Sequence, residues 1–116
     1  VQLRLGDKLS FLRVGGAHPG GLALTKAFLK NVKIDRNSKI LDAGCGTGQS
    51  SAYLAKTYGC SVTALDRHPI MLQKARQRFC RENVTADVVQ GDIGNIPLVD
   101  ESFDLTFLVR SLLQNL

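Results

Sequence analysis

Three acids follow three short apolar runs. Asp42 comes after Ile40-Leu41, Asp66 after Val62-Thr63-Ala64-Leu65, and Asp92 after Val88-Val89 and the pair Gln90-Gly91. Between the first two acids lies Ala43-Gly44-Cys45-Gly46-Thr47-Gly48-Gln49, with glycine at alternate positions. Such a loop turns tightly and lets a ligand approach the backbone without meeting a Cβ. A helix starting after it aims free N–H groups at the loop, which suits a carboxylate or a phosphate. Asp66 stands 18 residues beyond Gly48. A carboxylate there, at the end of a second strand, can accept hydrogen bonds from both ribose hydroxyls of an adenosyl ligand. Asp66 could instead cap the next helix, and the two roles are compatible. Gly91-Asp92 alone is a turn signal. As the third acid at a third strand end, it can place a carboxylate and a backbone N–H beside an adenine edge. A shared ligand site at one sheet edge explains the three acids better than folding alone.

Spacing disfavours two common phosphate binders. The dinucleotide pattern G-x-G-x-x-G fits Gly44 and Gly46, but its third position falls on Gln49. A P-loop needs Gly-Lys-Ser/Thr, and Gly48-Gln49-Ser50 has no lysine.

The elements that must hold this loop alternate between strand and helix periods. Lys39–Ala43, Ser61–Leu65, Ala86–Gln90 and Phe103–Val109 read as the first to fourth strands, the last the most continuously apolar. Helices are expected over 22–32, with Leu24, Phe28 and Val32 on one face, over Thr47 to about Tyr58, ended by Gly59, and from Pro69 to about Glu82. Residues 1–21 read as irregular. Residues 1–37 form an N-terminal cap segment and helix, and 38–116 the core of a single domain. This alternation predicts an α/β fold with a parallel sheet and helices on both faces.

The chain has 116 residues, 44% hydrophobic and 22% charged, which is ordinary for one globular domain. No apolar run approaches the ~18 residues of a membrane span, and the charged N-terminal stretch carries no secretory core segment. Three cysteines (45, 60 and 80) make no CxxC and no even set, so a reduced cytoplasmic setting is expected. Two histidines and no Cys/His ligand spacing argue against a metal site. Fifteen Lys+Arg against ten Asp+Glu give a net charge of +5. The densest cluster, Lys74, Arg76, Arg78 and Arg81, falls on one predicted helix and reads as a solvated face, with a surface for an anionic partner as the alternative. Two Tyr, five Phe and no Trp supply no stacking cluster for nucleic acid.

Taken together, these segments resemble class I S-adenosylmethionine-dependent methyltransferases, closest to the small-molecule, ubiquinone/menaquinone-biosynthesis-like group. Ile40-Leu41-Asp42-Ala43-Gly44-Cys45-Gly46-Thr47-Gly48 is similar to that family's first motif. Val62-Thr63-Ala64-Leu65-Asp66 with Pro69-Ile70-Met71-Leu72 is similar to the second. Gly91-Asp92-Ile93, Ile96-Pro97 and Ser102-Phe103-Asp104 resemble the third and fourth. The resemblance covers about residues 38–110.

It implies a Rossmann-like sheet of strand order 3-2-1-4 and S-adenosyl-L-methionine as cofactor. Gly44, Gly46 and Gly48 would pass close to the methionine part. Asp42 would orient the loop and, directly or through water, the cofactor's ammonium. Asp66 would hold the ribose, Arg67 and Met71 would flank the adenine, and Asp92 and the Ile93 N–H would read its edge. Leu108 and Val109 would approach the ammonium through backbone carbonyls. His18, in Gly15-Gly16-Ala17-His18-Pro19-Gly20-Gly21, is the weak candidate for acid–base work; with Gly20 it could neighbour cofactor or substrate, or form an exposed turn. Methyl transfer needs a general base only if the acceptor must lose a proton.

Family members run beyond the fourth strand, so the chain reads as their cofactor-binding part. An open apolar fourth strand could then pair with a second copy. Three readings compete: a methyltransferase acting on a small molecule, a cofactor-binding fragment without turnover that a partner chain or further residues complete, and half of a nicotinamide-dependent oxidoreductase. The glycine spacing disfavours the last.

Overall fold

A computed structural model describes residues 11–15, 22, 26–27, 29–30, 32–92 and 103–110. Five strands form one sheet: β1 (Phe11–Gly15), β2 (Lys39–Ala43), β3 (Ser61–Asp66), β4 (Asp87–Gln90) and β5 (Leu105–Arg110). Helix α1 (Gln49–Tyr58) joins β2 to β3, and α2 (Pro69–Arg81) joins β3 to β4. The spatial order is β1-β5-β2-β3-β4, and every pairing is parallel. The four expected strands therefore stand in the expected order 3-2-1-4.

The fifth strand corrects the sequence reading. Residues 11–15, expected to be irregular, pair along β5 from Phe11 opposite Thr106 to Gly15 opposite Arg110. The strand expected to be an open apolar edge thus has β2 on one side and β1 on the other. It does not offer its free edge to a second copy. The physical reason is the unpaired N–H and C=O row that an edge strand exposes, which an extended segment rich in Phe, Leu and Val can satisfy.

β5 begins two residues later than expected, because Asp104 works as a clasp. Its N–H donates to the Lys39 carbonyl at 2.7 Å, and its Oδ2 accepts from the Lys39 N–H at 2.8 Å. This fixes the register of β5 on β2 at the amino end of the strands, away from the glycine loop.

Alternation along the strands divides the core. Ile40 and Val62 share one face with Leu54 of α1, and Ala64 joins Ala52 of α1 and Ala75 and Phe79 of α2. Leu41, Ala43 and Leu65 face the other way and pack with Phe103. Both described helices lie on the first face, as right-handed crossovers require when β2, β3 and β4 step in one direction. A helix on the opposite face, expected from the sequence, is not among the described residues. Of the helix expected over 22–32, positions 22, 26, 27 and 29 are helical, with Lys30 N–H bonded to the Lys26 carbonyl. Leu29 and Val32 are buried against Ile40 and Leu54; Leu24 and Phe28 lie outside the described residues.

Local signals set the helix ends. Gly59 takes φ 66°, and its N–H donates to the Ala55 carbonyl, closing α1 as a left-handed cap. Pro69 opens α2, where its missing N–H costs nothing. No helix among the described residues is long and apolar enough to cross a membrane.

Candidate functional site

The glycine loop is anchored to the next strand. The N–H groups of Gly44 and Cys45 both donate to the Leu65 carbonyl, at 2.8 and 2.9 Å. Gly44, Gly46 and Gly48 take φ of 77°, 57° and 82°, in the left-handed region that favours glycine. A Cβ at Gly48 would lie 2.9 Å from the Phe79 ring and 3.0 Å from the Ala75 Cβ, so α2 packs against the loop there. A Cβ at Gly46 would meet no atom of the described residues within 4 Å. The two glycines serve different ends, one for packing and one for open approach.

A pair of alanine substitutions separates them. Gly48→Ala combines left-handed strain with overpacking and should destabilise the fold by about 2–4 kcal/mol. Gly46→Ala carries only the strain, about 1–2 kcal/mol, but its methyl enters the open side of the loop. Thermal denaturation should therefore rank Gly48→Ala as the more damaging, while ligand titration should show Gly46→Ala losing affinity beyond its stability loss. The reverse ranking would mean that Gly46 does not face a ligand.

Asp42 and Asp66 lie on the same sheet face at the carboxyl ends of β2 and β3. Asp42 is 1% exposed. Its Oδ2 accepts from the Ser51 hydroxyl at 2.5 Å, and its Oδ1 has no hydrogen-bond partner among the described residues. Burial pushes its pKa up from 3.8 to about 6; the Ser51 hydroxyl and amide pull it down, and the Asp66 carboxylate raises it further. A buried carboxylate with one unpaired oxygen is costly unless a donor reaches it.

Asp66 is also buried, and both its oxygens hold backbone. Oδ2 accepts from Gly46 N–H at 2.8 Å, and Oδ1 from His68 N–H at 2.9 Å. His68 is the N-cap of α2. The N-cap of α2 is therefore His68 and not Asp66; Asp66 holds the turn that leads into the helix, and it stands at the sheet edge beside the loop. The third strand end joins them, since Gly91 N–H donates to the Asp66 carbonyl at 3.0 Å and Gln90 is the register partner of Asp66. Asp92 follows, exposed at the same edge. Arg67 is exposed and Met71 half-buried, both beyond the end of β3. Leu108 lies opposite Ala43 across β2 and β5, which brings its backbone to the start of the loop. Ile93, His18 and Gly20 lie outside the described residues.

Cys45 sits inside the loop, half-buried. Burial first, then Asp42 and Asp66, push its thiol far above the usual range, which keeps it neutral. It is a small loop residue here, not a nucleophile.

Sequence reasoning missed two contributors. Ser51, the partner of Asp42, gave no local signal; only the placement of α1 brings it there. Arg78 looked like part of a solvated basic face. Lys74, Arg76 and Arg81 are exposed as expected, but Arg78 is half-buried and donates from Nε to the Thr47 carbonyl at 3.0 Å.

Comparison with known proteins agrees with this geometry. The family described as methyltransferase domain matches residues 40–116. The Bacillus subtilis (strain 168) protein YodH, an uncharacterized methyltransferase, is 45% identical over 97 residues, covering 84% of this chain and 41% of YodH. A demethylmenaquinone methyltransferase of Tropheryma whipplei (strain Twist) is 39% identical over 85 residues, covering 72% of this chain and 34% of that protein. The chain therefore spans about two-fifths or less of the length of these relatives. Among solved structures, a Methanococcus maripaludis protein described as an S-adenosyl-L-methionine-dependent methyltransferase superposes with a TM-score of 0.68 at 29% identity, covering 78% of this chain and 42% of that one. The glycine loop, the acid-ended strands and these matches place the chain in the class I S-adenosyl-L-methionine-dependent methyltransferase family.

Proposed function

We propose that this chain binds S-adenosyl-L-methionine across the carboxyl ends of β2, β3 and β4, and that the protein passes its methyl group to a small-molecule acceptor. The observation that carries this reading is the buried Oδ1 of Asp42, which has no hydrogen-bond partner among the described residues, beside Asp66. An anion at a paired-acid site is disfavoured, whereas an ammonium answers the unpaired oxygen and a diol answers Asp66. The open side of Gly46 leaves room for the part of the ligand between them. On these grounds the residues fit the methyl donor.

When bound, the donor supplies an activated methyl group on a sulfonium; the protein mainly binds, aligns and excludes water. In this reading Asp42 holds the ammonium, with the backbone carbonyl of Leu108 approaching it from β5. Gly44, Gly46 and Gly48 carry the loop past the methionine part. Asp66 takes the ribose hydroxyls, Arg67 and Met71 flank the adenine, and Asp92 with the Ile93 N–H reads its edge. The small-molecule class of acceptor follows the T. whipplei relative, whose name gives demethylmenaquinone. The unpaired cysteines 45, 60 and 80 suit a reducing compartment, and we place the protein in the cytoplasm.

Calorimetry is the direct test. S-adenosylhomocysteine should bind with one site per chain, and NADH should not. Binding of NADH without S-adenosylhomocysteine would replace this reading with a nicotinamide site. A labelled-methyl transfer assay then separates an enzyme from a binding fragment: tight binding with no transfer to any acceptor pool would sink the claim of turnover.

A further inference from the structure

We propose that Arg78 is the positioning residue of the glycine loop, and that its bond to the Thr47 carbonyl sets the affinity for the methyl donor. This rests on the donor-binding reading above, but its geometry is independent of it.

Arg78 lies on α2 between Ala75 and Phe79, the two residues against which Gly48 packs. Its Nε, rather than a terminal nitrogen, donates to the Thr47 carbonyl at 3.0 Å. Its Nη1 donates to Glu82 Oε2 at 3.1 Å, one helical turn on. Glu82 in turn meets Lys56 of α1 at 3.6 Å. The guanidinium is thus held at both ends of its plane. A lysine ammonium is a single point and does not reproduce that fork. With three-quarters of its side chain covered, Arg78 is not a solvated cation like Arg76 or Arg81.

The Thr47 carbonyl belongs to the peptide that ends in Gly48 N–H, and that N–H donates to the Cys45 carbonyl at 3.0 Å. Holding the carbonyl fixes this peptide plane, and with it the turn from Gly46 to the start of α1. Three residues in the loop have positive φ, so the unliganded loop has other glycine-accessible conformations to visit. A loop already ordered before binding spares the ligand that cost. Losing one such hydrogen bond should weaken binding about three- to tenfold.

The test uses the full protein and two readouts. In Arg78→Lys, the Thr47 carbonyl carbon and the Gly48 amide nitrogen should shift by NMR without any ligand. The dissociation constant for S-adenosylhomocysteine should rise about three- to tenfold, with the fold retained. Glu82→Gln, which leaves the arginine but loosens its plane, should raise it by a smaller factor of about two. It keeps the test decisive if Arg78→Lys does not fold. Arg81→Gln removes an exposed charge and should leave affinity unchanged. An unmoved Thr47 signal overturns the proposal, as does an unchanged affinity in both Arg78→Lys and Glu82→Gln. So does an equal loss in Arg81→Gln, which would assign the effect to net charge. If the unsubstituted protein does not bind S-adenosylhomocysteine, the donor-binding reading has failed, and the affinity role of Arg78 falls with it; the NMR arm still reports whether Arg78 holds the loop.

Discussion

Asp66→Ala should weaken S-adenosylhomocysteine binding by about a hundredfold or more, the largest loss from any single site substitution. Two terms add. The first is direct: an ionised carboxylate bonded to two ribose hydroxyls makes charge-assisted bonds worth about 1.5–3 kcal/mol each. The second comes from the loop itself. Asp66 already holds the Gly46 and His68 N–H groups at 2.8 and 2.9 Å. Alanine frees both donors, so the glycine loop and the first turn of α2 lose their common anchor. Asp66→Asn should rescue little. Its carbonyl oxygen can accept one of the two N–H groups, but its amide then faces the other as donor against donor. Calorimetry on both variants checks this. A dissociation constant within a few-fold of the unsubstituted protein would remove Asp66 from the ribose contact.

Much of this site could be read from the sequence because its information is local. Three alternate glycines needing left-handed backbone, and acids at the ends of short apolar runs, follow directly from side-chain chemistry and the two-residue strand period. The order of the four expected strands was legible only through the family resemblance. What escaped was non-local. β1 is a short run of β-favouring residues, Phe11-Leu12-Arg13-Val14, inside a stretch that reads as irregular. Only the vacant side of β5 gives it a place. Ser51 and Arg78 look ordinary in the sequence, one a serine in a first turn, the other one of four cations on a helix. Their roles arise from the packing of α1 and α2 on one sheet face, which brings Ser51 to Asp42 and Arg78 to Thr47. The basic cluster shows the limit clearly: pattern alone does not distinguish Arg78 from Arg81, because reach and burial separate them, not charge.

Asp42→Asn should weaken the binding of S-adenosylhomocysteine while removing a pH-dependent instability from the free protein. The folded-state pKa of Asp42 is about 6, against 3.8 for the free side chain. The folded state therefore holds a proton that the unfolded chain has lost, and the stability contribution falls as pH rises between those values. Below pH 3.8 both states are protonated and there is no penalty. Above pH 6 the penalty is complete, about 3 kcal/mol at 1.36 kcal/mol per pKa unit. Asparagine never ionises, so the free variant should lose this fall between pH 4 and 6. At pH 7.5 it should be more stable by an amount reduced by the cost of its unpaired amide, about 1–3 kcal/mol. Binding runs the other way. A ligand ammonium beside the unpaired Oδ1 favours the ionised carboxylate, so affinity for the unsubstituted protein should drop as pH falls below 6, by up to about tenfold per unit. The asparagine variant should bind weakly, without that dependence. Stability and affinity measured across pH 4.5–7.5 decide the matter. A shared pH slope in both proteins would mean that the Asp42 charge is not what meets the ligand. A lost slope, with opposite changes in stability and affinity, would mean that the fold tolerates an unfavourable buried charge at the position where an ammonium is to be held.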